Sequence, residues 1–171
     1  MRILKGIHAG RELTSPARQV RPTPEVARGR CLDLVADELR GARMLDLFAG
    51  SGAVGLEALS RGALSVDFVE NGSAALHSLK ANVAALRASK QVRIFKRDAL
   101  PWVRKLSARA YRIAFIDPPY GSLKLDRVVE QWREVPFSDI LIIEHDQDHD
   151  FGAGGTQYAF DGPTRITILR A

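Results

Sequence analysis

Five short apolar runs recur along this chain, the first four each followed by a stretch with helical spacing, and that alternation limits the fold more than any other feature. The runs are Met44-Leu45-Asp46-Leu47-Phe48, Leu64-Ser65-Val66-Asp67-Phe68-Val69, Val92-Arg93-Ile94-Phe95, Ile113-Ala114-Phe115-Ile116 and Ile140-Leu141-Ile142-Ile143. They are short and apolar on both faces, as the strands of a parallel sheet covered on two sides must be. Between them, spacing predicts helices over 54–60 (closed by Gly62), 73–86 (with Ser73 as N-cap), 99–108 (Pro101 in the first turn) and 124–134. Val26, Leu32, Val35, Ala36 and Leu39 predict one helix over 25–39, and 158–160 with 166–169 predict a closing hairpin. The result is an α/β fold with helices on both faces of the sheet, whose ligands bind beyond the carboxyl ends of the strands at the switch point.

At 171 residues one domain is expected. Within it, 1–24 reads as a basic arm, extended or a short hairpin, since Pro16, Pro22 and Pro24 oppose a helix. Residues 25–171 form the main body. With 46% hydrophobic and 26% charged residues, disorder is excluded. A single cysteine, Cys31, excludes an internal disulfide framework and a cysteine-rich zinc site. The first residues lack an apolar signal core, and no run of about 18 apolar residues occurs. A soluble, cytoplasmic protein is expected, with no membrane partner.

The net charge of +5 is carried entirely by residues 1–30, where seven basic side chains face two acidic ones. Such an arm suits a polyanion, because Lys and Arg near phosphates release counterions; the plainer reading is a solvated surface.

Two motifs sit just after strands. The first is Gly50-Ser51-Gly52-Ala53-Val54-Gly55, a G-x-G-x-x-G between a strand and a helix, with Glu70 closing the next strand. Its glycines let backbone turn tightly and approach a ligand, and the acid suits a ribose diol. Asp46 discriminates among cofactors. A carboxylate inside the strand feeding the loop repels a pyrophosphate and attracts an ammonium, which S-adenosylmethionine carries beside its sulfonium. The plainer role for Asp46 is capping local amides.

The second motif, Asp117-Pro118-Pro119-Tyr120, follows the fourth run. Two prolines stiffen the chain and leave the Asp117 carboxylate and the Pro118 carbonyl as acceptors for a planar exocyclic amine. Tyr120 offers a ring on which an unstacked base can lie. Acceptors on the amine hydrogens return electron density to nitrogen, and Asp117 is placed to take the proton. Alone, Pro-Pro would read as a rigid turn; after the glycine loop it reads as chemistry.

Together these residues resemble the S-adenosylmethionine-dependent methyltransferases of exocyclic amines. More closely, the chain resembles the bacterial 16S ribosomal RNA guanine-N2 methyltransferases of the RsmD type. The likeness runs through Arg2-Ile3, Gly10-Arg11, Arg21-Pro22-Thr23, the stretch 45–62, Phe68-Val69-Glu70, Asp117-Pro118-Pro119-Tyr120, Glu144 and Thr164-Arg165-Ile166-Thr167-Ile168. It implies a Rossmann-like class I methyltransferase, with a seven-stranded, mainly parallel sheet and an N-terminal hairpin arm. It also implies an enzyme whose cofactor, S-adenosylmethionine, is held by Asp46, Phe48, Ala49, Gly50, Ser51, Gly52, Gly55, Glu70, Asn71, Asp98, Ala99 and Asp117. The implied partner is small-subunit rRNA, free or in an assembling particle. Arg2, Arg11, Arg21, Thr23, Arg28, Pro119 and Tyr120 would contact it, while Asp117, Pro118 and Tyr120 handle the amine. The chain departs from the family pattern at Gly29, Leu32-Asp33 and Asn71-Gly72.

Three alternatives share parts of this pattern: an adenine-N6 methyltransferase, a nicotinamide-dependent dehydrogenase, and a non-catalytic RNA-binding module. The run Glu144-His145-Asp146-Gln147-Asp148-His149-Asp150 reads as a solvated acidic loop, not a metal site, so no metal is expected. His8 and His77 read as surface or half-buried groups, and Cys31, Trp102 and Trp132 as packing residues.

Overall fold

A computed structural model describes residues 1–15, 25–118, 122–150, 152, 154–160 and 162–171. Arg18, Arg21, Thr23, Pro119 and Tyr120, and the prolines at 16, 22 and 24, lie outside the described residues.

The main-body elements are α1 (Glu25–Asp33), α2 (Ala36–Leu39), β1 (Arg43–Leu47), α3 (Ala53–Ser60), β2 (Ser65–Glu70), α4 (Ser73–Ala85) and β3 (Val92–Lys96). Then come α5 (Ala99–Val103), β4 (Tyr111–Ile116), α6 (Lys124–Glu134), β5 (Ser138–Asp146), β6 (Thr156–Ala159) and β7 (Thr164–Arg170). The strands form one seven-stranded sheet in the order β3-β2-β1-β4-β5-β7-β6. Strands β1 to β5 are parallel to one another, and β7 runs antiparallel to β5 and β6. The chain winds outward from β1 to β3, then returns to lay β4 against the other side of β1. The crevice where this reversal occurs lies at the carboxyl ends of β1 and β4.

Alternation along each strand splits the core between the two faces. Met44, Val66, Phe68, Ile113, Phe115, Ile140 and Ile142 pack with the arm, α1, α3 and α4. Leu45, Leu47, Val69, Ala114, Ile116, Leu141 and Ile143 pack with α5 and α6. Both faces being covered, the strands read as unbroken apolar runs.

Residues 1–15 fold as the expected hairpin. Arg2 bridges Glu12, and Ile3 N–H donates to the Arg11 carbonyl (2.9 Å) while Gly10 N–H donates to that of Ile3 (2.8 Å). The hairpin is fastened to the body, with Ile3 and Leu13 in the core. Glu57 of α3 accepts the N–H of Leu4 (2.7 Å) and Lys5 (3.0 Å), and Ser60 Oγ accepts that of His8 (2.9 Å).

Several boundaries differ from expectation. The helix over 25–39 is two helices, because Val35 takes φ −127° and interrupts the ladder. α5 ends at Val103 because the chain tightens there: Lys105 N–H donates to the Trp102 carbonyl and Leu106 N–H to that of Val103. Ser73 is the first helical residue, not the cap; Gly72 is the cap, with no side-chain bond to the helix. Residues 144–146 belong to β5 and not to a loop, since Glu144, His145 and Asp146 pair with Ile166, Arg165 and Thr164. His145 is buried there, its ring between the Asp146 carbonyl (2.8 Å) and Thr167 Oγ1 (2.9 Å), and burial lowers its pKa. Cys31 is fully buried, which pushes its thiol pKa far up and agrees with a packing role. Trp132 is buried and donates to Ser138, while Trp102 lies against Phe95.

Candidate active site

The glycine loop is built from a run of left-handed residues. β1 ends at Leu47, and Phe48 (φ 59°), Gly50 (φ 56°) and Gly52 (φ 78°) turn the chain into α3. Phe48 is not a glycine, and a left-handed conformation there costs about 1–3 kcal/mol, a type of strain found at ligand sites. At Gly52 a Cβ would lie 2.3 Å from Leu79 Cδ1, and at Gly55 one would lie 2.4 Å from Phe68 Cε1. One glycine is therefore needed for the turn and the other for packing α3 against β2.

Three carboxylates gather at the carboxyl ends of adjacent strands: Asp46 on β1, Glu70 closing β2, and Asp117 after β4. Asp46 is buried, and its Oδ2 accepts the N–H of Gly55 (3.0 Å). Burial raises its pKa well above the usual carboxylate value, opposed by the Gly55 bond and reinforced by the charges of Asp117 and Glu70. Asp46 therefore caps a local amide and adds negative potential only in its ionised form. Glu70 fastens the loop: its Oε2 accepts Gly50 N–H (2.8 Å) and its Oε1 accepts those of Asn71 (2.8 Å) and Gly72 (2.6 Å). A carboxylate offers about four acceptor positions, and three are taken here, so about one remains, on Oε2, for a ligand hydroxyl. Asp117 is half-buried and Pro118 is buried.

The other expected cofactor residues fall around this crevice. Ala49 and Gly52 are buried, Phe48, Gly50 and Ser51 half-buried, and Asn71 exposed. Asp98 caps α5, its Oδ1 accepting Leu100 N–H (3.1 Å), with Ala99 buried behind it. Lys124 Nζ stands 5.8 Å from the Phe48 ring centroid. Three acids around a tight glycine turn suit a cationic ligand such as S-adenosylmethionine and oppose a pyrophosphate. An arginine-lined cleft of about 440 Å³, with Arg40, Arg43, Arg109 and Arg112, opens at the opposite, amino ends of β1 and β4 and holds none of these groups.

The arm residues divide. Arg2 and Arg11 are exposed, and Arg11 Nη2 donates to the Ala85 carbonyl (3.2 Å). Arg28 corrects the expectation that it meets RNA. It is 0% exposed, donates to the Arg2 carbonyl and sits 3.9 Å from Glu57 Oε2. Its charge holds the arm down and is out of reach of a phosphate. Glu57 is the acidic partner that Gly29 does not supply, and the Glu57–Arg61 spacing on α3 was the available signal. Asn82, buried on the apolar face of α4, also escaped notice; a polar residue among Leu79 and Val83 was its mark. Among the described residues no group of three or more His, Cys, Asp or Glu could hold a metal ion.

The family model described as "Conserved hypothetical protein 95" matches residues 1–153. The chain belongs to that family. Several relatives are named as ribosomal RNA methyltransferases. The Bacillus subtilis "Putative rRNA methyltransferase YlbH" is 31% identical over 154 residues, 86% of this chain and 84% of its own. The Escherichia coli "Ribosomal RNA small subunit methyltransferase D" is 36% identical over 130 residues, 75% of this chain and 65% of its own. Among solved structures, an E. coli protein described as "Putative methyltransferase yhhF" superimposes with a TM-score of 0.84 at 27% identity, covering 99% of this chain and 97% of that one. A hypothetical protein of Thermus thermophilus gives 0.85 at 29%, covering 100% and 99%. The family's fold is therefore the Rossmann-like methyltransferase fold expected from the motifs.

Proposed function

We propose that this protein is an S-adenosylmethionine-dependent rRNA methyltransferase acting on the N2 amine of a guanine in small-subunit RNA, in the cytoplasm. The observation that carries the reading is the trio Asp46, Glu70 and Asp117 at the crevice, an acceptor set for a cation beside a strand end ready for an amine. The names of the relatives support rRNA as substrate.

Asp46 would face the ammonium of the cofactor, Glu70 a ribose hydroxyl, and Asp98 with Ala99 its adenine. Phe48, the 49–52 loop, Gly55 and Asn71 would wall the site. When bound, S-adenosylmethionine supplies an electrophilic methyl group. Asp117 and the Pro118 carbonyl accept the hydrogens of the substrate amine, orient its lone pair and hold the base still, and Asp117 receives the released proton. Tyr120 would stack on the base beside Pro119. Arg2, Arg11, Arg21 and Thr23 would grip phosphates, which fix register without reading sequence. Residues 1–24 would serve as the RNA arm of a main body spanning 25–171.

The test is nucleoside mass spectrometry of small-subunit rRNA from cells with and without the protein, paired with methyl transfer in vitro. N2-methylguanine that depends on the protein, and is lost with Asp117→Ala at S-adenosylmethionine concentrations that saturate the variant, is the expected result. N6-methyladenine instead would replace the base; binding of NAD but not S-adenosylmethionine would overturn the reading.

A further inference from the structure

Asn82 is 2% exposed on a helix face it shares with Ala75, Leu76, Ser78, Leu79 and Val83. A carboxamide in such a place is unfavourable unless its hydrogen-bonding groups are met. All are met, by two separate segments. Its Oδ1 accepts Thr14 N–H (2.8 Å), and its Nδ2 donates to the Thr14 carbonyl (2.9 Å) and to the Ser51 carbonyl (2.9 Å). Both Nδ2 hydrogens are thereby used, and Thr14 is held by donor and acceptor together, as a neighbouring strand would hold it.

On the proposed function the two segments serve different ligands. Ser51 lies between Gly50 and Gly52 in the cofactor loop, and Thr14 leads into 16–24, which contains Arg18, Arg21 and Thr23. The other fastenings of the arm among the described residues, Glu57 and Ser60 on α3, Arg28 and Asp33 on α1 and the Ala85 carbonyl on α4, hold the hairpin without a bond to Ser51.

We infer that Asn82 is a positioning residue that couples the cofactor loop to the RNA arm, so that each ligand favours the other. The inference rests on the proposed function, because the arm must be the RNA grip. A ligand that orders the Ser51 peptide fixes the Asn82 carboxamide and with it Thr14. By linkage, RNA that orders the arm tightens the loop by the same factor.

The test measures S-adenosylhomocysteine affinity of the whole chain, alone and with saturating small ribosomal subunits from cells lacking the protein. The wild type should bind about five- to tenfold more tightly with subunits present. In Asn82→Ala the factor should fall below about twofold. Ser60→Ala, which loosens the same arm without touching the loop, should weaken subunit binding and keep the factor. Hydrogen exchange on the wild type gives a readout free of any folding defect: S-adenosylhomocysteine alone should slow exchange at the Thr14 amide. A wild type that methylates RNA without coupling, an Asn82→Ala that keeps it, or an unchanged Thr14 amide would overturn the inference and leave the function standing. A wild type that binds S-adenosylhomocysteine but no rRNA in any form would overturn both.

Discussion

The backbone N–H of Gly55 donates to Oδ2 of Asp46 at 3.0 Å, joining the first turn of α3 to the strand that feeds it. An asparagine keeps that acceptor and removes the charge. Burial raises the Asp46 pKa in the folded state, so the fold binds this proton more tightly than the unfolded chain does. Stability is then lost as pH rises from the unfolded value through the folded one. At neutral pH, ligand-free Asp46→Asn should melt higher than the wild type. It should bind S-adenosylmethionine about tenfold or more weakly, the loss of one charge-assisted hydrogen bond. Scanning fluorimetry and calorimetry check the pair; a lower Tm with unchanged affinity would contradict it.

The same linkage sets a pH dependence for the cofactor. A cationic ligand favours ionised Asp46, so affinity should fall as pH drops through the raised folded pKa. Calorimetry across pH in buffers of different ionisation enthalpy should show proton release on binding, and Asp46→Asn should abolish it.

Gly52 and Gly50 should respond differently to alanine. At Gly52 (φ 78°) the added Cβ meets Leu79 Cδ1 at 2.3 Å, whereas at Gly50 (φ 56°) the nearest atom is the Phe48 carbonyl oxygen at 4.0 Å. Gly50→Ala should cost about 1 kcal/mol of conformational strain, and Gly52→Ala about 2 kcal/mol or more, with weaker cofactor binding. Denaturant unfolding ranks them; equal losses would mean that backbone strain, not contact, governs the turn.

Arg28 should separate from its neighbours on the arm. Arg2→Ala with Arg11→Ala should weaken RNA binding and reduce its salt dependence, by about 0.7 in log–log slope for each phosphate no longer neutralised. Arg28→Met should cost about 1–3 kcal/mol of stability through loss of a buried charged donor, with the salt slope unchanged. A reduced slope for Arg28→Met would return that residue to the RNA surface.

Tyr111, at the amino end of β4, donates to Oδ2 of Asp67 at 2.7 Å, and Asp67 also pairs with Arg93. Tyr111→Phe should cost about 1–3 kcal/mol by withdrawing a donor from a buried carboxylate. Methyl transfer should persist, since this network lies at the end of the sheet away from the crevice. Loss of activity without loss of stability would refute that separation.

Most of the sheet was legible because strands covered on both faces are apolar throughout, and the loop because its turn and packing demand glycine at 52 and 55. What escaped lay where polar groups are buried in pairs. Glu144 and His145 read as loop because the strand they pair with, β7, lies about twenty residues onward. Arg28 read as an RNA contact because its burial depends on the arm carbonyl of Arg2 and on Glu57, both brought near by folding. Ser73 read as a cap because it opens the helix, yet Glu70 takes the amides just before it.

From residues alone came the strand–helix order, the glycine turn, the carboxylate suited to a cation, and the amine-handling motif, all local patterns in which composition and spacing carry the physics. The tertiary structure decided which charges face solvent, where Asp46 stands among its neighbouring carboxylates, and how Asn82 ties Thr14 to Ser51. Those depend on residues tens of positions apart meeting in a low-dielectric interior, where each polar group is stable only with a specific partner. No local pattern encodes such a partner.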